Sequence, residues 1–117
     1  MNTLGQEGEK IAMNFLEHKG YKIIDKNYRS KFGEIDIIAT EGEYIIFIEV
    51  KARSAESLLI APIEAVTRSK QRKIIKTAES YLMLRPTERQ PRLDVVCIIY
   101  DKGEYTVEHF ESAYEAV

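Results

Sequence analysis

Two carboxylates stand in this sequence where a buried strand would carry apolar side chains. Asp36 interrupts Ile35, Ile37 and Ile38, and Glu49 follows the run Tyr44-Ile45-Ile46-Phe47-Ile48. Aspartate is among the residues least favoured in strands, and an unpaired buried charge costs several kcal/mol. Lys51, two residues after Glu49, leaves the strand on the same face. If Gly42-Glu43 forms a two-residue hairpin loop with glycine first, Glu41 faces Tyr44, Asp36 faces Glu49 and Glu34 faces Lys51. A three-residue loop would shift that register by one. Directly opposed like charges cost a sheet about 0.2–1 kcal/mol, so the Asp36/Glu49 pair needs solvent or a cation between its members. Glu9 offers a third carboxylate. On a helical wheel it lies beside Met13 and Leu16 at the edge of an apolar stripe, whereas Glu7 points into solvent.

Converging oxygen ligands, with a single Cys and no helical pair of His, select Mg²⁺ or Mn²⁺ over zinc. A hard cation beside carboxylates points to phosphate chemistry, with a nearby lysine orienting water or offsetting charge in the transition state. A solvated edge is the commoner reason for any single strand carboxylate, and for Asp36 alone it is the better one. The conjunction of Asp36, Glu49-Val50-Lys51 across a hairpin and Glu9 is more specific and favours a site. His18 and His109 read as a helix-end residue and a strand-surface residue, and Tyr28 and Tyr81 as packing.

The elements that must carry these residues follow from period and punctuation. Gly5 to Lys19 reads as an amphipathic helix stopped by Gly20. Three strands, Tyr21 to Tyr28, Gly33 to Thr40 and Tyr44 to Ala52, should form an antiparallel meander. A loop from Ala52 to Ala61 leads to a second helix, from about Pro62 to Leu84 and ended by Pro86. Its Ile74, Ile75, Ala78 and Leu82 share one face, and Arg68, Arg72 and Lys76 occupy the opposite one. Leu93 to Tyr100, nearly all apolar, has the pattern of a strand covered on both faces, and Tyr105 to Phe110 is the last strand.

With 117 residues, 44% hydrophobic and 31% charged, the chain is expected to be one globular domain spanning 1–117. The longest apolar run, Val95 to Tyr100, is six residues, against about twenty for a membrane span. The lone Cys97 lies in that run as a small buried side chain, and a reducing cytoplasm is the expected location. The formal charge of -2 is unevenly spread. Between Val66 and Arg92 eight basic residues meet two acidic ones, leaving the rest of the chain at -8. Such a patch can steer a polyanion to one face, although a solvated helix surface has the same arithmetic.

The acidic helix residue Glu9, Gly33-Glu34-Ile35-Asp36 and Glu49-Val50-Lys51 together resemble the PD-(D/E)XK nuclease pattern, with Ile35 where the motif's name has proline. Over nearly its full length the chain resembles the YraN-like family, including Gly5-Gln6-Glu7-Gly8-Glu9, Asn27-Tyr28-Arg29, Glu64-Ala65-Val66 and Arg92-Leu93-Asp94-Val95-Val96. That family is similar in fold to archaeal Holliday-junction resolvases. The resemblance implies an α/β, restriction-endonuclease-like fold: a mixed five-stranded sheet flanked by helices. It further implies Mg²⁺ or Mn²⁺ held by Asp36, Glu49, Glu9 and the Val50 carbonyl, and Lys51 as the catalytic lysine. The expected activity is phosphodiester hydrolysis in structured, junction-like DNA, with Arg68, Arg72 and Lys76 on phosphates and a homodimer by analogy. The rival expectation is a noncatalytic nucleic-acid- or protein-binding module that keeps the fold, and a nuclease of RNA or single strands is a third.

Overall fold

The computed structural model describes residues 4–55 and 66–115. A helix, α1 (Leu4–His18), precedes three strands, β1 (Lys22–Arg29), β2 (Glu34–Glu41) and β3 (Tyr44–Ser54). The second helix, α2 (Arg68–Leu84), precedes β4 (Gln90–Asp101) and β5 (Glu104–Phe110). The five strands form one sheet in chain order. Neighbours are antiparallel except β3 and β4, which run parallel. Parallel neighbours need a crossover, and α2 lies within it. The expected mixed five-stranded sheet with flanking helices is therefore present.

Alternation along β3 divides the core in two. Ile45 and Phe47 join Ile38, Val66, Ile74, Ala78, Tyr81 and Val95 on the α2 face. Ile46 and Ile48 join Ala12, Leu16, Ile37, Val96 and Ile98 on the α1 face. Residues 93–98 of β4 are buried on both faces, as their unbroken apolar pattern predicts apart from Asp94. Gly8 lets α1 approach the end of β3 closely, since a Cβ there would stand 3.0 Å from the Ala52 Cβ.

Two boundaries differ from expectation. Helix α2 begins at Arg68, where the Thr67 side chain accepts the Lys70 N–H at 3.2 Å as an N-cap. Pro62 and residues 56–65 lie outside the described residues, while Arg53 and Ser54, expected in the loop that follows Ala52, extend β3 alongside β4. At its other end α2 stops as predicted, the Arg85 N–H returning to the Tyr81 carbonyl at 2.9 Å. Its buried stripe is Ile74, Thr77, Ala78 and Tyr81, with Ile75 and Leu82 half-buried at the margin. Tyr28 packs edge-on against Tyr81 with ring centroids 4.9 Å apart, as core aromatics do.

Candidate functional site

The β2–β3 hairpin turns through Gly42 and Glu43, with the positive φ on Gly42 (56°), and its pairs run from Glu41↔Tyr44 to Ile37↔Ile48. This is the predicted register, but pairing stops one residue before Asp36 and Glu49. At that point Asp36 Oδ2 accepts the Val50 N–H at 2.8 Å, so a side chain holds the group that a strand carbonyl would otherwise take. The strands part there, and Glu34 does not pair with Lys51. Glu34 instead reaches Arg29, 3.5 Å away. The facing position on β1 is irregular too, with Asn27 in a left-handed conformation (φ 51°) and outside the β1–β2 pairing.

The gap collects groups from both faces of the sheet. From β3, Glu49 is 5% exposed, and its Oε1 lies 3.5 Å from Lys51 Nζ and 2.7 Å from Lys70 Nζ. From α1, half-buried Glu9 meets the Asn27 amide, whose nitrogen donates to Glu9 Oε1 at 3.0 Å and to Glu34 Oε1 at 3.2 Å. Asn27 thus ties the helix carboxylate to the sheet beside the gap.

These groups perturb one another in a consistent sense. Burial, then the charge of Glu49, pushes the Asp36 carboxyl up to about 7 despite the Val50 N–H. Glu9 is also raised, by burial and then by Glu34 and Glu49, with the Asn27 hydrogen bond opposing. Burial and the neighbouring Lys70 lower Lys51. Burial works against Lys70 as well, but its bonds to Glu49 and Lys51 raise it on balance. Asp36 is therefore a half-buried acid that accepts the Val50 N–H and, among the described residues, has no ion pair, beside a second carboxylate already paired with lysine.

Among the described residues no three His, Cys, Asp or Glu side chains are grouped to hold a metal ion. The convergent set is smaller: the Asp36 and Glu49 carboxylates and the Val50 carbonyl, which leaves β3 by the same edge as its N–H. Mg²⁺ keeps several of its own waters and commonly takes only one or two carboxylates from protein. This all-oxygen set fits such a cation, which would take the place of the proton that Asp36 holds up to about 7. Arg68, Arg72 and Lys76 are exposed on α2, as predicted for a surface column.

One participant, Lys70, and one buried network outside the gap escaped the sequence reading. Lys70 leaves α2 one turn before Ile74, on the sheet-facing stripe, and Thr67 as N-cap was its signal; a helix begun at Pro62 obscures that position. Asp94 is fully buried outside the gap. It accepts from Arg92 Nε at 3.0 Å, Arg92 Nη2 at 2.8 Å and the Ser112 N–H at 3.0 Å, and its Oδ2 lies 2.7 Å from His109 Nε2. His109 is consequently not a strand-surface residue, its side chain being 3% exposed. His18 does end α1, its Nδ1 2.8 Å from the Asn14 carbonyl oxygen.

A family described as "Uncharacterised protein family UPF0102" matches residues 8–98 of the chain. The UPF0102 protein of Thermodesulfovibrio yellowstonii is 43% identical over 111 residues, covering 95% of this chain and 95% of that protein. That of Chlorobium limicola is 43% identical over 120 residues, covering 97% of this chain and 92% of its own length. Another, from Caldanaerobacter subterraneus, is 42% identical over 107 residues, with 91% and 87% covered.

Proposed function

This chain belongs to the uncharacterised protein family UPF0102, and from the carboxylate gap between its second and third strands we propose that it is a metal-dependent endonuclease of structured, junction-like DNA. The observation that carries the reading is the Asp36/Glu49 pair at the parting of two strands, with the Asp36 proton retained up to about 7 and two lysines on Glu49. Packing alone gives no reason to hold two carboxylates together with one unneutralised. Mg²⁺ or Mn²⁺ on Asp36, Glu49 and the Val50 carbonyl, with Glu9 adding charge, would supply polarisation of the phosphate and a more acidic water.

The chain's own residues do the rest. Lys51, its ammonium 3.5 Å from Glu49, orients the attacking water and offsets charge in the transition state, the water's proton passing to solvent. The water oxygen bonds to phosphorus as the phosphorus–oxygen bond to the leaving strand breaks. Lys70 holds Glu49 in place, and Arg68, Arg72 and Lys76 meet flanking phosphates by charge. A homodimer would let two such sites act on a symmetric junction.

One contact favours the noncatalytic alternative: at 2.7 Å, Lys70 already neutralises Glu49, as it would in a binding module that keeps the fold. A panel of labelled junction, flap, duplex and single-stranded substrates with Mg²⁺ or Mn²⁺ decides between them. The nuclease reading expects cleavage of branched DNA, with Lys51→Met losing orders of magnitude in single-turnover rate and less than about tenfold in affinity. Matched losses in rate and affinity would make Lys51 a binding residue. No cleavage of any substrate with either metal would leave the binding module as the function.

A further inference from the structure

The turn from Ser30 to Gly33, between β1 and β2, presents Phe32 to solvent at 38% exposure. It is a well-tied turn. The Ser30 N–H donates to the Gly33 carbonyl at 2.8 Å, and the Phe32 N–H to Ser30 Oγ at 3.0 Å. The Ser30 and Thr77 hydroxyls hydrogen-bond at 3.1 Å, and a Cβ on Gly33 would stand 3.4 Å from the Lys73 Cβ. The backbone thus rests directly on α2, and the outward ring is set by an ordered support. Lys31 Nζ lies 5.2 Å and Lys76 Nζ 5.6 Å from the Phe32 ring centroid. These contacts tie the ring to the turn and to α2, yet more than a third of Phe32 stays open to solvent, where turns more often carry Asp, Asn or Ser.

We propose that this turn is a stacking platform for an unpaired nucleotide, Phe32 taking the base and Lys31 and Lys76 its flanking phosphates. The inference rests on the reading that the protein acts on nucleic acid, and it narrows the substrate to DNA with unpaired bases beside the site. An aromatic face among lysines is the combination by which proteins hold single strands, since every base offers a π-face and every step a phosphate. A continuous duplex keeps its bases stacked on each other and offers none to a surface ring. The location agrees: the turn runs into β2, and Phe32 is four residues before Asp36, within about 13 Å along an extended chain. Lys76 belongs to the exposed basic face of α2, so backbone and base contacts adjoin.

The test uses the protein in EDTA, where hydrolysis cannot contribute. The chain has no tryptophan, so Phe32→Trp places a single reporter in the turn. A single-stranded oligonucleotide and a flap are expected to quench its fluorescence, and a blunt duplex to leave it unchanged. Phe32→Ala, with its thermal melt matched to the parent, is expected to lose about tenfold in affinity for the single strand and flap while duplex affinity holds. No quenching at saturation, an equal loss on all probes, no loss on any, or no binding of any probe would each overturn the platform. Quenching without cleavage in the metal panel would keep the platform and remove the nuclease; cleavage by the parent protein with Phe32→Trp unquenched would do the reverse.

Discussion

Asp36 and Asp94 are both strand aspartates among apolar neighbours, and the molecule treats them in opposite ways. Burial alone would raise Asp94, but His109, Arg92 and the Ser112 N–H overcome it and hold the carboxyl below its ordinary 3.8. Asp36 sets the Val50 N–H against burial, Glu49 and Glu9, and rises to about 7. The signs of their contributions follow. A depressed Asp94 adds stability above the unfolded value, lost as pH falls through the folded one. A raised Asp36 subtracts stability as pH climbs from about 4 to about 7, because the unfolded chain releases a proton that the folded one keeps. In EDTA, Asp36→Asn should match the wild type near pH 4 and exceed it at pH 8 by at least about 1 kcal/mol in urea unfolding. At neutral pH it should also bind no Mn²⁺ by calorimetry, and retained binding would remove Asp36 from the site. Asp94→Asn should cost about 3–5 kcal/mol at neutral pH by removing the carboxylate closest to Arg92, whose other ion pair, to Glu111 at 3.6 Å, is half-exposed. That deficit should narrow below pH 4, and a loss under about 1 kcal/mol would deny the network a structural role.

At the scale of elements, the gap depends on where strands stop pairing and where helices start. The β2–β3 ladder ends at Ile37↔Ile48, which frees the Val50 N–H for Asp36. Helix α2 starts at its Thr67 cap, which puts Lys70 in the first turn and its ammonium on Glu49. Helix α1 nests on β3 through Gly8, bringing the adjacent Glu9 to Asn27. If Lys70 competes with a cation for Glu49, Lys70→Gln should raise Mn²⁺ affinity severalfold, within the roughly 1 kcal/mol of a half-exposed ion pair. Unchanged or weaker binding would show that Lys70 supports the site rather than occupying it. Thr67 and the helix cap are untouched by this substitution, so any loss in thermal stability should stay within that roughly 1 kcal/mol.

Across the whole molecule, the sheet separates two cores, and the gap lies where the strands part between them. No helix among the described residues is long and apolar enough to cross a membrane. Charge is segregated along the chain, and Arg68, Arg72 and Lys76 stand exposed at four-residue spacing, mildly unfavourable to the helix that carries them. If they meet DNA, replacing all three with Gln should flatten the log–log salt dependence of binding by roughly 0.9 per lost contact. An unchanged slope would return the column to solvent.

The elements and the hairpin register were legible in the residues because both follow from local rules. Apolar period separates helix from strand, and a glycine-first two-residue loop sets which residues face each other, so the residues alone align Asp36 with Glu49. Glu9 was legible as a stripe-edge residue for the same reason. Tertiary structure alone decided how the carboxylates are used. Whether Asp36 meets a carbonyl rung or an open N–H depends on β2 leaving β3, and its pKa on what surrounds that opening. His109 looked like a strand-surface residue, yet it joins Asp94, Arg92 and the chain near Ser112 in one buried network. Lys70 was one charge in a basic run until the packing of α2 aimed it at Glu49. Pattern assigns a side chain to a face, but the partners waiting there come from distant segments, and those partners determine whether a charge is neutralised or left for a ligand.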